Sequence, residues 1–261
     1  MTRRWRWIDT GVLRAAENMA LNRALLEARR AGEAPSTLRF LRFLPAALVG
    51  RHGDPARELD LEYCRTHGIA VQRRITGGGP IYMDEGVLGW ELYLERDDVG
   101  TAEMPAISRR LCEAAARAIV ALGAPAQYRA PTEIVVAGRK ISGSGGAIED
   151  DALVYQGTLL LDFDVGAMLH VLAATARTLN DAVLAGARAG VINLSEVLGR
   201  VPAPAALRGA FIEAFGREFG AQLEEGGLND AERRRFEAAL AEMDTEEWTG
   251  MPGVSRRMFG T

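Results

Sequence analysis

Two short segments separated by only two residues, Glu-Ile-Val-Val and Arg-Lys-Ile-Ser, constrain the fold of this chain most strongly. Residues 133–136 precede Ala137-Gly138, and residues 139–142 follow it. A two-residue loop with glycine where a positive φ is needed is typical of a β-hairpin, in which the neighbouring strands run antiparallel. The sequence therefore predicts a sheet with antiparallel strands.

Further segments predict strands and helices in an irregular order. The apolar patterns predict strands at 37–44, 69–75, 80–83, 88–94 and 153–163, and helices at 12–30, 55–66, 102–122 and 231–243. Beyond Val165 the pattern is mainly helical, and apolar residues recur every four positions from Leu207 to Phe219, which predicts a helix with one buried face. Hairpins interspersed with helices, without regular βαβ alternation, predict an α+β fold.

Composition excludes several classes of function. The net charge of −4 and pI near 5.6 argue against a general nucleic-acid binder. Two cysteines cannot form a disulfide framework, and the three histidines fit no metal-ligand spacing. The basic start lacks a secretory signal, and no apolar run approaches the roughly 20 residues that span a bilayer. We therefore expect a soluble cytoplasmic protein with no nucleic-acid or membrane partner.

A run of three glycines, Gly77 to Gly79, follows two arginines between apolar segments. Consecutive glycines cost conformational entropy, so a functional interpretation is a loop whose backbone passes close to a ligand. Its N–H groups and Arg74 would then supply positive charge for a phosphate. The alternative is a flexible hairpin tip with basic flanks.

Two further stretches carry candidate functional residues. Lys140 is one of very few lysines in a chain that otherwise uses arginine, and it lies among apolar strand residues. Such a point charge can hold a carboxylate and an α-phosphate together during adenylate formation, whereas the alternative is an edge-strand lysine that prevents aggregation. Gly157, inside a predicted strand, suggests close approach by another backbone or a ligand.

In this order and spacing, the stretches resemble the biotin/lipoate ligase and octanoyltransferase superfamily, and lipoate–protein ligases most of all. Residues 73–84 resemble the family's Arg-Arg-x-Ser/Thr-Gly-Gly-Gly-Ala-Val-Tyr/Phe-His-Asp loop. Residues 132–145 resemble its Asn-Asp-Ile…Gly-Arg-Lys-Ile-Ser-Gly-Ser-Ala stretch, and residues 156–160 its His/Gln-Gly-Thr-Leu-Leu strand. Residues 17–21 and 191–195 resemble its N-terminal helix and its Val-x-Asn-Leu element.

The resemblance implies a fold and an activity. The fold is a class II synthetase-like catalytic core, with a mixed, largely antiparallel sheet flanked by helices. The activity is ATP-dependent conversion of lipoate to lipoyl-AMP, usually with Mg²⁺, followed by transfer to a carrier lysine. The carrier is a lipoyl domain or a protein like the glycine-cleavage H protein, and the enzyme is expected to be a monomer.

The resemblance also implies roles for individual residues. Lys140 is the expected catalytic residue, and Glu133 is a candidate Mg²⁺ ligand. The residues expected to bind ATP are Arg74, Gly77, Gly78, Gly79, Pro80, Ile81, Tyr82, Lys140 and Gly143. Those expected to bind lipoate are Arg74, Gly78, Lys140, Gln156, Gly157 and Thr158.

The sequence departs from the family pattern at several positions. Thr132-Glu133 replaces Asn-Asp, Met83 replaces His, and both Pro80 and Gly145 replace Ala. The catalytic domain is expected to span residues 1–250, with 251–261 as a short tail in place of the accessory domain that many relatives carry. Either a separate protein then supplies that domain or the core suffices alone.

Two alternative functions remain. An octanoyl or lipoyl transferase of this superfamily holds the acyl group on a cysteine, near the loop before the lysine hairpin or beyond the Gly-Thr strand. No cysteine lies in residues 127–132 or after Cys112, and we interpret Cys112 as a buried helix residue. The other alternative is a non-catalytic module that binds lipoyl carriers. Biotin ligation is disfavoured because the Gly-Arg-Gly-Arg-x-Gly loop is missing.

Overall fold

The computed structural model describes residues 3–176 and 178–249. Its strands are β1 (Arg3–Leu13), β2 (Thr37–Phe43), β3 (Ala46–Val49), β4 (Ala70–Arg73), β5 (Ile81–Met83), β6 (Val87–Glu95), β7 (Ala126–Arg129), β8 (Glu133–Val136), β9 (Arg139–Glu149), β10 (Ala152–Leu160) and β11 (Ala221–Glu225). Its helices are α1 (Ala15–Arg30), α2 (Pro55–Glu58), α3 (Leu61–Thr66), α4 (Arg96–Val99), α5 (Met104–Ala121), α6 (Val165–Val171), α7 (Ala173–Ala176), α8 (Asp181–Gly190), α9 (Leu194–Leu198), α10 (Pro204–Phe219), α11 (Asp230–Met243) and α12 (Glu246–Thr249). The predicted tail, 251–261, lies outside the described residues.

The strands form two sheets. The larger sheet has eight strands in the order β11-β1-β2-β6-β10-β9-β8-β7, and the smaller has three in the order β4-β3-β5. In the larger sheet β1 runs parallel to both β2 and β11, and every other neighbouring pair is antiparallel. The predicted α+β fold with a mixed, largely antiparallel sheet is confirmed.

The hairpin predicted from the two-residue loop at Ala137 and Gly138 is confirmed. Strands β8 and β9 pair antiparallel around Ala137 and Gly138, whose φ angles are 49° and 77°. Positive φ at both central residues suits a two-residue loop, because the twist of such a turn matches that of the strands. The sequence therefore fixes the position of Lys140, the second residue of β9.

Other element boundaries differ from the prediction. The helix predicted from residue 12 begins at Ala15, because the residues before it form β1. The helix predicted at 55–66 is two helices, since Leu59 is extended and the Asp60 side chain caps α3. The strand predicted to reach residue 163 ends at Leu160.

Strand β11 was missed because the surrounding sequence is helical. It pairs in parallel with β1 at the opposite end of the chain, with Arg3 opposite Ala221. No local pattern encodes a contact over such a sequence separation.

Two apolar clusters cover opposite faces of the larger sheet. The first lies against α5 and α10 and includes Trp90, Tyr155 and Phe211. The second lies towards the smaller sheet and includes Leu48 and Leu160. Since side chains alternate along a strand, β10 turns its odd-numbered residues into the first cluster, and on its other face Gln156 and Thr158 lie between the apolar Val154 and Leu160. Among the described residues, no helix combines the length and apolar character needed to cross a bilayer.

The packing of Gly157 gives a test of the fold. A Cβ at this position would collide with the Trp90 indole, which is fully buried. We expect Gly157→Ala to lower the free energy of unfolding by about 1–3 kcal/mol, because the core must move to admit the methyl group. Urea denaturation of both proteins measures the change.

The matched control is Gly145→Ala in the neighbouring strand β9. No described atom lies within 4 Å of a Cβ placed there. We expect its unfolding free energy to stay within about 1 kcal/mol of wild type. Equal effects of the two substitutions would show that Trp90 does not set the requirement for glycine.

Candidate active site

Arg74 lies beneath the triple-glycine turn and holds it in shape. Its side chain is buried, and its guanidinium donates to the carbonyl oxygens of Gly77 (2.8 Å), Gly79 (3.0 Å) and Leu48 (3.2 Å). Gly78, with a φ of 99°, requires glycine. The structure therefore places Arg74 under the turn as its support, where the sequence predicted a side chain lining the ligand site.

The turn has a positive character, because no carboxylate of the described chain bonds directly to the guanidinium beneath it and Glu58 acts on that charge only from a distance. Within residues 3–176 and 178–249, Arg74 forms no ion pair with a carboxylate. Burial lowers the pKa of Arg74 to about 10, so the group is still charged at neutral pH. Because the Gly77 carbonyl points at the guanidinium, the Gly78 N–H of the same trans peptide points away from it. Such a turn is suited to binding an anion.

A second loop packs against this turn. A Cβ at Gly50 would collide with the Gly78 carbonyl oxygen, and the Arg51 N–H donates to the Thr76 carbonyl at 2.9 Å. Only glycine allows this approach. The role of Gly50 was missed because a single glycine after β3 carries no specific signal.

Thr76 and Gln156 join the turn to the larger sheet. Thr76 Oγ1 donates to Gln156 Oε1 at 3.0 Å, and Gln156 Nε2 donates to Glu91 Oε1 at 2.7 Å. Glu91 forms a buried ion pair with Arg39 at 3.1 Å. Thr76, Glu91 and Arg39 were not predicted as site residues. A signal existed, because Glu91 lies within an otherwise apolar segment and a buried carboxylate requires a partner.

Lys140 lies on the same face of the sheet and is the only lysine in the chain. Its side chain is 39% exposed and its Nζ lies 3.1 Å from Glu133 Oε1. The ammonium lies over Gly143, since a Cβ there would be 2.9 Å from Nζ. Thr158 Oγ1 accepts a hydrogen bond from the Gly143 N–H at 3.1 Å and donates one to the Gly143 carbonyl at 3.2 Å. Lys140 is therefore partly sheltered against β9 and β10.

The segment after α8 holds the Lys140 strand in place. The Ile192 N–H donates to the Lys140 carbonyl at 2.9 Å. Asn193 accepts from the Phe163 N–H at 2.9 Å and donates to the Phe163 carbonyl at 3.2 Å. The element resembling the family's Val-x-Asn-Leu motif thus connects the Lys140 hairpin to the end of β10.

Glu133 has two cationic partners. Oε1 pairs with Lys140, and Oε2 accepts from Arg129 at 2.7 Å. Burial alone raises the pKa of the Glu133 carboxyl, but the hydrogen bonds from Arg129 and Lys140 outweigh it and the pKa is lowered. In the described part of the chain, no group of three or more His, Cys, Asp or Glu side chains is arranged to hold a metal ion. The Mg²⁺ role of Glu133 stays a prediction.

Some expected site residues face elsewhere. The space beside Gly157 is filled by Trp90, so this glycine is explained by a side chain and not by the second backbone or ligand that the sequence suggested. Tyr82 packs against Phe163 in the core, and burial raises the pKa of Tyr82 to about 12. Ile81 and Pro80 are partly exposed at the end of the turn.

Both cysteines are buried and free. Cys112 Sγ lies 3.1 Å from Ser144 Oγ and 3.4 Å from the Tyr155 hydroxyl, in the cluster on the opposite face of the sheet from Gln156. Burial raises the pKa of Cys112, and burial raises the pKa of Cys64 to about 11. The interpretation of Cys112 as a buried helix residue is confirmed, and neither thiol ionises readily at neutral pH.

Comparison with known proteins identifies the family. Residues 14–216 match the model of the lipoyl protein ligase A/B catalytic domain. The chain belongs to this family. The octanoyltransferase LipM of Moorella thermoacetica is 27% identical, over 94% of this chain and 97% of its own length.

Solved structures share the fold. One is the bi-partite lipoate protein ligase of an archaeal lipoylation system, from Thermoplasma acidophilum. Its structure superposes on this chain with a TM-score of 0.83 at 23% sequence identity, and the alignment covers 98% of each chain. A lipoate-protein ligase A bound with ATP has a TM-score of 0.80 at 22% identity, covering 95% of this chain and 98% of its own. The family is thus confirmed, and the fold it implies agrees with the sheet order described above.

The burial of the two thiols can be tested directly. We expect the native protein at pH 7.5 to show no rapidly reacting thiol in an Ellman assay, because both sulfurs are buried and protonated. The same protein in concentrated urea should show both thiols and serves as the control. A native thiol that reacts as fast as free cysteine would contradict the placement of Cys64 or Cys112.

Proposed function

We propose that the protein is an ATP-dependent lipoate–protein ligase that forms lipoyl-AMP and transfers the lipoyl group to a carrier lysine. The observation that carries the proposal is that both thiols of the chain are buried, whereas its single lysine is accessible on the face of the sheet that carries Gln156 and Thr158. This arrangement suits activation of the acyl group as an adenylate, and it does not suit activation as a thioester. Structures named as lipoate ligases, one with bound ATP, share the fold.

In the first step, a carboxylate oxygen of lipoate attacks the α-phosphorus of ATP. The bond from that phosphorus to the bridging oxygen breaks, and pyrophosphate leaves. The Lys140 ammonium stabilises the negative charge on both reacting groups, and the Gly78 N–H supplies a preorganised donor. The incoming anions compete with Glu133 for Lys140, since this ion pair is partly exposed and held by only one carboxylate.

In the second step, the neutral amine of the acceptor lysine attacks the acyl carbon, the bond from that carbon to the phosphate oxygen breaks and AMP leaves, while the proton lost by the nitrogen passes to water or to the departing AMP. The carboxylate nearest to Lys140 is Glu133, which is already bound by two cations and is a weak base. Positioning of the acceptor therefore supplies most of the rate enhancement. The glycine turn over the sheet shields the mixed anhydride from water.

We propose a lipoyl domain or an H-protein-like carrier as the acceptor, and a separate protein as the source of an accessory domain. The bi-partite ligase of Thermoplasma acidophilum supports the second point, because this chain aligns with 98% of one of its chains. Mg²⁺ is expected to accompany ATP, as a counter-charge to the phosphates. We further propose a cytoplasmic monomer for the catalytic chain.

Octanoyl transfer is the second candidate, and the likeness to LipM favours it. A transferase of this type holds the acyl group as a thioester on an accessible cysteine. Burial of Cys64 and Cys112 argues against that chemistry.

Pyrophosphate exchange into ATP, dependent on free lipoate, tests the proposal. We expect wild type to catalyse it and Lys140→Ala to lose about 10²–10³-fold in rate, the effect of removing one preorganised charge or donor. Arg109→Ala is the matched control, because Arg109 is also paired with one carboxylate but lies exposed on α5. It should retain wild-type exchange.

A transferase would give a different pattern. It would pass octanoate from an octanoyl carrier protein to a lipoyl domain without ATP, and would show no exchange. The wild-type protein is assayed alone and with an accessory protein. ATP-independent octanoyl transfer, or the absence of pyrophosphate exchange in both assays, would overturn the ligase proposal.

A further inference from the structure

One strand glycine near the proposed site is not explained by contacts within the protein. Gly143 leaves room for the Lys140 ammonium, and Gly157 leaves room for Trp90. Gly146 lies where a Cβ would be 2.6 Å from the Val154 carbonyl oxygen. At Gly145, by contrast, no described atom lies within 4 Å of a Cβ, and its φ is not positive. A glycine weakens a strand interior, so an external requirement for this space is indicated.

The empty space above Gly145 lies on the proposed reaction face. Gly145 is directly opposite Gln156 in the pairing of β9 and β10, so a side chain there would point to the same side as Gln156. Gln156 contacts Thr76 on the glycine turn. The space therefore lies between the turn and the sheet.

The polarity of this face changes along the two strands. Lys140 and Thr158 lie over Gly143 at one end, and Gln156 lies opposite Gly145 in the middle. At the other end Ala147 pairs with Val154, and both pack in an apolar cluster that also contains Ile75 from the segment leading to the turn. This change from a cationic end to an apolar end along the strands matches a molecule with an anionic head and an apolar tail.

The distances fit a medium-length acyl chain. Gly143 and Gly145 are two residues apart on one strand face, which is roughly 6–7 Å. A carboxylate held by Lys140 above Gly143 therefore places the far half of an extended eight-carbon chain over Gly145. The dithiolane ring of lipoate occupies that half.

We propose that Gly145 determines the size of the acyl tail that the enzyme accepts. The inference rests on the proposed function and names the part of the substrate that this residue contacts. The sequence has glycine where the family commonly has alanine, so the space is wider by one methyl group here. A larger side chain at 145 fills the space of the ring and of the distal methylenes, and leaves the carboxylate position free.

The test is a series of variants against a series of acids. Wild type, Gly145→Ala and Gly145→Val are assayed for acid-dependent pyrophosphate exchange with butanoate, hexanoate, octanoate and lipoate. We expect Gly145→Val to reduce kcat/KM for lipoate and octanoate by about tenfold or more and to leave that for butanoate within about twofold. Gly145→Ala should show a smaller loss, confined to lipoate.

The control is Gly227→Val, on an exposed loop where a Cβ also meets no described atom. It should leave every acid unchanged, and thermal unfolding confirms that all variants are folded. The inference would be overturned if Gly145→Val lowered kcat/KM equally for all four acids, or if it left kcat/KM for lipoate unchanged.

Failure of the proposed function is distinguishable from failure of this inference. If wild type catalyses no exchange with any acid, the ligase proposal fails. Equilibrium binding of the free acids, measured by calorimetry, then decides the role of Gly145. Selective loss of lipoate and octanoate binding in Gly145→Val supports it, and an unchanged length profile contradicts it.

Discussion

The buried guanidinium of Arg74, bound by backbone carbonyls and by no carboxylate in the described chain, is the interaction on which the site depends. A buried cation needs polar partners, and here the glycine turn provides them with its own carbonyls. Two consequences follow together. The turn is fixed in one shape, and it keeps a positive potential suited to an anion because no acidic side chain of the described residues forms an ion pair with Arg74 and Glu58 acts only from a distance.

The turn is also anchored to the sheet that carries Lys140. Thr76 connects it to Gln156, and Gln156 is oriented by Glu91 and the buried Arg39 behind it. Because every member of this chain of hydrogen bonds is buried or partly buried, the amide of Gln156 has one favoured orientation. Groups from two different sheets are thereby held in a fixed relation, as the proposed reaction between two bound substrates requires.

The sequence predicted the parts of this site that local chemistry determines. The hairpin that positions Lys140 and the glycine turn could be recognised, because a two-residue loop and three glycines restrict the backbone directly. The relations between distant residues could not. The Thr76–Gln156 contact, the direction of the Arg74 side chain and the pairing of β1 with β11 depend on how separate elements pack.

Gly157 illustrates the same limit in one residue. The sequence indicated that something approaches it closely, which is correct, but only the fold identifies Trp90 as the neighbour. Gly145 was noted only as a departure from alanine. Its significance emerges because the structure accounts for the glycines around it and not for this one.

Proteins named as octanoyltransferases and as lipoate protein ligases both match this chain, and the two candidate functions differ in how the acyl group is activated. Thioester chemistry requires an ionisable thiol beside the acyl carbon, and phosphate chemistry requires cationic and N–H donors there. In this chain the two thiols lie in apolar clusters and have raised pKa values, so that ionising either would place an anion in the core. The donors, by contrast, are on the accessible face, at Lys140 and at the glycine turn supported by Arg74. The distribution of ionisable groups between the two faces of the larger sheet therefore supports the proposed adenylation over the second candidate, octanoyl transfer, although a relative matching almost the whole chain bears the name of a transferase.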